Sequence, residues 1–207
     1  YKSILEAFVH SGVENNASVN VKWVNTEKIY NDADAAKAFN NIDGILIPGG
    51  FGTRGSEGKI LASKFARENN VPFLGICLGL QCAVIDFARH VCGLDGANST
   101  EFNRRTKYPV IALMESQRAV KRKGGTMRLG AYNCELKPGT KAYKAYRKKN
   151  ISERHRHRWE VNNRYRDRLV KNGLKISGVN EELNLVEIIE LPEHPWYIAG
   201  QFHPELK

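Results

Sequence analysis

The sequence predicts an α/β fold, a central, mostly parallel sheet flanked by helices with an antiparallel extension, and three observations carry that prediction. Segments with helical apolar spacing alternate with short apolar runs through the first part of the chain. The two strongest runs, 44–48 and 71–76, read as buried strands, each entering a glycine-bearing turn beside a helical pattern, the βαβ rhythm of a sheet covered on both faces. Beyond residue 108 the pattern changes to short strands separated by turn residues, which reads as the antiparallel part.

In chain order, a helix is expected at about 1–11, a strand at 18–24, a helical stretch around 34–40 and a strand ending at Pro48. A helix at 58–69 leads to the strand at 71–76. Ala83, Val84, Phe87, Ala88 and Val91 then recur at helical spacing within 81–91. Strands at 108–114, 130–136, 174–179 and 185–191 complete the reading. No internal repeat, low-complexity tract or linker interrupts the 207 residues, so residues 1–207 are read as one domain, long enough to bury a full core.

Composition narrows the setting. No apolar run approaches membrane-spanning length and nothing resembles a signal peptide. The four cysteines, Cys77, Cys82, Cys92 and Cys134, form neither a C-x-x-C pair nor a dense framework, which favours reduced thiols in an intracellular, cytoplasmic protein. Cys82, Cys92 and Cys134 read as packing residues. The chain opens inside a helical pattern without an initiator methionine, which suggests an excised domain or a processed chain. Its net charge is +10, with lysine and arginine crowded into 117–123, 141–149 and 154–168. Basic clusters can bind nucleic-acid phosphates, but no nucleic-acid module accompanies them, so a solvated surface or a face for another domain is the better reading. His155 and His157 stand among arginines that repel a cation, and no Cys or Asp cluster completes a site, so no metal is expected.

Gly75-Ile76-Cys77-Leu78-Gly79 puts a cysteine where a buried strand meets a helix. Small residues on both sides permit the sharp turn of a nucleophile elbow, and the partial positive charge of a helix N-terminus favours thiolate. A cysteine alone in such a place more often packs than reacts. Partners stand at the far end, in Tyr197-Ile198-Ala199-Gly200-Gln201-Phe202-His203-Pro204-Glu205, a strand-like run that ends in a histidine followed two residues later by a carboxylate. His203 can take the thiol proton and return it to a leaving amine, while Glu205 can fix the tautomer of the imidazole. A third element, Pro48-Gly49-Gly50-Phe51-Gly52, follows a buried strand. Its glycines allow close backbone approach and positive φ, so that the Gly50 and Leu78 amides could hold the oxyanion of a tetrahedral intermediate. The same loop could be a plain turn or a phosphate cradle, though no G-x-x-x-x-G-K-[ST] pattern is present.

These segments resemble the triad-type (class I) glutamine amidotransferases. Pro48 to Gly52 with Arg54-Gly55 and Glu57-Gly58-Lys59, Asn98-Ser99-Thr100-Glu101-Phe102, Gly124 to Gly130, Glu153-Arg154-His155-Arg156-His157-Arg158-Trp159-Glu160-Val161-Asn162 and His194-Pro195-Trp196 are similar to the glutaminase domains of the CTP synthase family. The R-H-R-H-R block is the most discriminating of them. The resemblance implies a class I amidotransferase-like fold and a Cys77, His203 and Glu205 triad acting on L-glutamine. It further implies that Gly50, Leu78, Gly79 and Leu80 line the substrate site, that Gln81 and Glu101 hold the amino group, and that Arg158 faces the α-carboxylate. Trp159 stands where tyrosine or phenylalanine is expected, a conservative departure.

In such a family, glutamine is hydrolysed through a cysteine thioester, and the ammonia passes to a synthase (amidoligase) domain that converts UTP to CTP. That domain is expected to be absent from this chain, together with its ATP, UTP and magnesium sites, so no cofactor is expected here. GTP is the family's activator, with Phe51, Arg54 and residues 117–123 as contributors, and the full-length enzyme is expected to be a homo-oligomer. Two other functions compete. One is another class I amidotransferase or a γ-glutamyl hydrolase on the same scaffold, against which the R-H-R-H-R block argues; the other is a non-catalytic basic nucleic-acid-binding domain in which Cys77 is inert.

Overall fold

The computed structural model describes residues 1–113 and 127–206. Helix α1 (Lys2–Glu14) opens the chain, followed by α2 (Asp32–Ala38), β1 (Ile45–Ile47), α3 (Ser56–Glu68), β2 (Phe73–Ile76) and α4 (Leu78–His90). Then come β3 (Asn98–Ser99), β4 (Pro109–Leu113), β5 (Arg128–Leu136), α5 (Lys141–Tyr146), β6 (Asn150–His157), β7 (Trp159–Val161) and α6 (Arg166–Lys171). Strands β8 (Lys175–Asn180), β9 (Leu185–Glu190) and β10 (Tyr197–Gly200) close the fold. None of the described helices is long and apolar enough to cross a membrane.

A seven-stranded sheet runs in the order β1-β2-β10-β9-β8-β5-β6, and a smaller one in the order β3-β4-β7. Parallel pairing joins β1, β2 and β10, and every later pairing in the large sheet is antiparallel, so the expected α/β sheet with its antiparallel extension is present. The register decides where chemistry can occur. Ile47 pairs with Gly75 and Gly200 with Ile76, so the three parallel strands end side by side. With strands roughly 4.8 Å apart, the loops leaving those ends are neighbours. They are the glycine loop, Cys77 and the segment up to His203.

Helix α4 is buried along nearly its whole length, Leu80, Ala83, Val84, Ile85 and Phe87 included, because it packs between the parallel strands, α3 and β4. The main core continues through Phe73 stacked on Tyr197 at 4.4 Å to Ile111, Leu169, Leu174 and Ile189. Cys82 and Cys92 lie in it, Cys134 lies in a smaller cluster with Leu136, Ile151, Ile188 and Phe202, and all are free thiols, as their packing role requires. Ile4 of α1 packs on Ile76 and Cys77, so α1 covers the sheet beside the elbow.

Three expectations are corrected. Residues 18–24 form no strand: the valine alternation there pairs with no strand among the described residues, and Val19 and Trp23 stay exposed. The reading left out β6, which carries the R-H-R-H-R block as far as His157 with alternate residues buried, Arg158 sitting in the bend before β7, and also β3, β7, α5 and α6. Helix α1 runs three residues beyond 11, to Glu14. The end of the 108–114 strand, the 117–123 basic loop and Gly124 to Thr126 lie outside the described residues.

Candidate active site

The β2 chain turns into α4 at Cys77, which takes φ 52°, ψ −97° as the N-cap residue. A non-glycine residue in that region is strained by about 1–3 kcal/mol and persists only where its surroundings hold it. The surroundings are visible. A Cβ at Gly75 would lie 2.8 Å from the Gly79 carbonyl carbon and 2.8 Å from Ala199 Cβ, and one at Gly79 would strike the Ile47 carbonyl oxygen. The elbow can therefore close only with glycine at both flanks.

Cys77 is 2 % exposed, and burial pushes its thiol up to about 12. The Leu78 N–H works against that rise, while the negative charges of Glu160, Glu101 and Glu205 add to it. The resting sulfur is thus a thiol, which could act as a nucleophile only if a base took its proton. His203 is suited to the task. Its Nδ1 lies 2.9 Å from Glu205 Oε1, which leaves Nε2 as the working nitrogen, and its backbone N–H donates to the Arg154 carbonyl at 2.8 Å. Glycine at position 49 makes room for the imidazole, since a Cβ there would overlap His203 Cε1. A Cβ at Gly50 would come within 3.2 Å of Leu78, so the glycine loop lies directly on the first turn of α4. Positive φ is found at Gly52 and Gly55 but not at Gly49 or Gly50, where space is what matters.

The residues expected to hold glutamine are placed unequally. Glu101 accepts from the Gly52 N–H at 2.8 Å; burial raises its carboxyl pKa, and that N–H and the Arg158 charge oppose the rise. Glu101 and Arg158 therefore act within one electrostatic neighbourhood, as an amino-acid zwitterion requires. Gln81 is 3 % exposed, donates its Nε2 to the Trp159 carbonyl at 3.1 Å, and has Oε1 buried without a hydrogen bond. Leu80 is fully buried in the main core, so its side chain packs, and Gly79 serves the turn. Phe51 and Arg54 are exposed, and Arg54 is ion-paired with Glu27.

Sequence reasoning missed a buried polar network behind this site. Arg128 donates to Glu160 at 3.1 Å and to Glu187 at 2.7 Å, His155 Nε2 meets Glu187 at 2.7 Å, and His157 Nε2 meets Glu160 at 2.7 Å. The two histidines considered as metal ligands thus face carboxylates. Among the described residues no cluster of three or more His, Cys, Asp or Glu is placed to hold a metal ion. The network was legible only as an alternation of His and Arg, which a strand period would have exposed. Gln201 was missed as well.

Comparison with known proteins gives the chain its family. The family model for glutamine amidotransferase class-I matches residues 1–207. The chain is 56 % identical over 207 residues to the CTP synthase of Caldanaerobacter subterraneus subsp. tengcongensis and 58 % identical over 208 residues to that of Pelodictyon phaeoclathratiforme. It is fully covered in both comparisons but spans only 38 % and 37 % of those proteins. The structure of the Trypanosoma brucei CTP synthase glutaminase domain with bound acivicin superposes with a TM-score of 0.93 at 37 % identity, covering 100 % of this chain and 81 % of that one. An elbow cysteine, a His-Glu pair and a glycine loop at the ends of adjoining parallel strands, on a chain matched along its full length, identify it as a member of the class I glutamine amidotransferases, of the glutaminase-domain type found in CTP synthases.

Proposed function

We propose that this glutaminase domain works through Cys77, His203 and Glu205, and that the ammonia it releases is passed to a synthase domain for amination of UTP to CTP. The observation that carries the reading is the strained elbow at Cys77 beside a His203–Glu205 pair whose ring occupies the space left by Gly49. His203 Nε2 takes the Cys77 proton, and the sulfur attacks the side-chain amide carbon of glutamine. The Gly50 and Leu78 N–H groups stabilise the oxyanion. Collapse expels ammonia as His203 returns the proton, and water, deprotonated by His203, then cleaves the thioester to give glutamate and free Cys77. Glu101, assisted by Gln81, receives the substrate ammonium, and Arg158 the α-carboxylate. ATP, UTP and magnesium belong to the synthase part of a longer, homo-oligomeric polypeptide, and GTP acts on the glutaminase domain near Phe51 and Arg54. The share of the relatives left unmatched by this chain supports a partner domain of that kind.

A diazo-ketone analogue of glutamine tests the assignment. Peptide mapping should find the label on Cys77; label on Cys82, Cys92 or Cys134 would overturn it. Cys77→Ala should remove glutamine-dependent turnover and leave ammonia-dependent CTP synthesis by the full-length polypeptide intact. His203→Ala should also abolish turnover with glutamine, while Glu205→Gln should lower it and leave some, because orienting the imidazole is secondary to moving the proton.

A further inference from the structure

Gln201 stands two residues before His203, and the mechanism above leaves it without a role. It is 0 % exposed, its Nε2 lies 3.8 Å from the Cys77 sulfur, and its Oε1 is buried with no hydrogen-bond partner. The backbone around it is fixed from both sides. Cys77 N–H donates to the Gly200 carbonyl at 2.7 Å, Gln201 N–H to the Glu187 carbonyl at 2.8 Å, and His203 N–H to the Arg154 carbonyl at 2.8 Å. Between them the Phe202 ring meets His155 edge-on at 5.8 Å. Residues 200–203 are thus clamped between the elbow and the β6 and β9 strands, so the Gln201 amide has little freedom to leave the sulfur.

We infer that Gln201 is a positioning residue for the nucleophile: its amide N–H donates to Cys77 Sγ, holding the sulfur in place and favouring the thiolate that attacks glutamine. The electrostatics around the sulfur give such a donor a purpose. Glu160 on β7, Glu101 after β3 and Glu205 after β10 all oppose a negative sulfur, and burial opposes it further. Working the other way are the Leu78 N–H at the start of α4, the imidazolium that His203 becomes on taking the proton, and Gln201. A hydrogen bond to an ionised group is stronger than one to a neutral group, so the donor stabilises thiolate more than thiol. The opposite orientation, with Oε1 towards the sulfur, would stabilise the thiol instead. The two orientations therefore shift the Cys77 titration in opposite directions.

This inference rests on the reading of Cys77 as the nucleophile. It is tested by the pH dependence of Cys77 alkylation by iodoacetamide, measured by peptide mass mapping on the full chain, together with glutamine turnover. Gln201→Met keeps the volume and removes the donor, and Gln201→Glu keeps the shape and replaces the donor by an acceptor. The apparent Cys77 pKa should rise by about one pH unit in Gln201→Met, and further in Gln201→Glu. At neutral pH kcat should fall about tenfold while KM for glutamine stays within about twofold, because Gln201 donates to the sulfur, whereas the zwitterion is assigned to Glu101, Gln81 and Arg158. An unmoved titration would show that Gln201 merely fills space, and a lowered one that its oxygen faces the sulfur; either overturns the inference. Should the Met variant fail to fold, Gln201→Leu, which also removes both polar atoms and adds no charge, carries the same decision. Failure of the underlying reading looks different: wild-type Cys77 would then be dispensable for turnover.

Discussion

A Cβ at Gly49 would overlap the His203 ring, although nothing in the backbone angles of that residue demands glycine. Gly49→Ala should therefore displace the imidazole without disturbing the fold. Because a misplacement of about 1 Å costs on the order of a hundredfold in rate, glutamine turnover should fall by about that factor. Thermal stability should change little, and steady-state kinetics beside a melting curve will separate the two effects; a turnover near wild type would show that His203 has room to spare. At this scale much was readable from sequence, since Cys77, His203 and the glycine loop each end an apolar run. The role of Gln201 and the reason for glycine at 49 were not, because each depends on a neighbour far away in the chain.

Strand β6 shows how an element can hide in its own composition. Its buried positions, Ile151, Glu153, His155 and His157, are mostly polar, so the alternation did not look like a strand with an apolar face. The burial is tolerable because carboxylates arrive from β7 and β9 and a guanidinium from β5. Burial opposes ionisation of Glu187, but the His155 hydrogen bond and the Arg128 charge outweigh it and hold its pKa below the ordinary 4.5. A depressed carboxylate contributes stability that is fully present above the unfolded-state pKa and is lost as pH falls through the folded one. Glu187→Gln should thus cost about 1–3 kcal/mol at neutral pH, because Arg128 keeps its Glu160 partner but loses the charge at Glu187. Its stability should also fall less steeply than that of wild type below pH 4.5. Urea denaturation over a pH series measures both, and parallel curves would sink the account.

Across the whole molecule, α1 presents Val9 and Val13 to solvent at 60 % and 79 % exposure, while Ile4 on its other side packs on Ile76 and Cys77. The helix thus contributes to the fold through one face. Replacing Val9 and Val13 by lysine should change the stability of the chain by no more than about 0.5 kcal/mol each, as for surface substitutions generally. Differential scanning calorimetry of the double variant will check this, and a large loss would mean that this face is packed in solution. Some of the basic side chains are paired locally, in Lys64–Asp32, Arg89–Glu57 and the Arg67–Asp86 contact between α3 and α4, which leaves the net surplus unchanged.

What the sequence determined by itself was the set of strand-end motifs and the parallel half of the fold, because apolar periodicity and glycine placement are local properties that a short window contains. The elbow was legible in this way, with its glycines at 75 and 79. Tertiary structure decided which strand ends are neighbours. Only the β1-β2-β10 order and its register bring the glycine loop, Cys77 and His203 together across residues far apart in the chain. It also decided that 18–24 stays out of the sheet and that the R-H-R-H-R block enters it. A strand forms where a partner completes its hydrogen bonds and a neighbour neutralises what it buries, and neither condition is written in the segment itself.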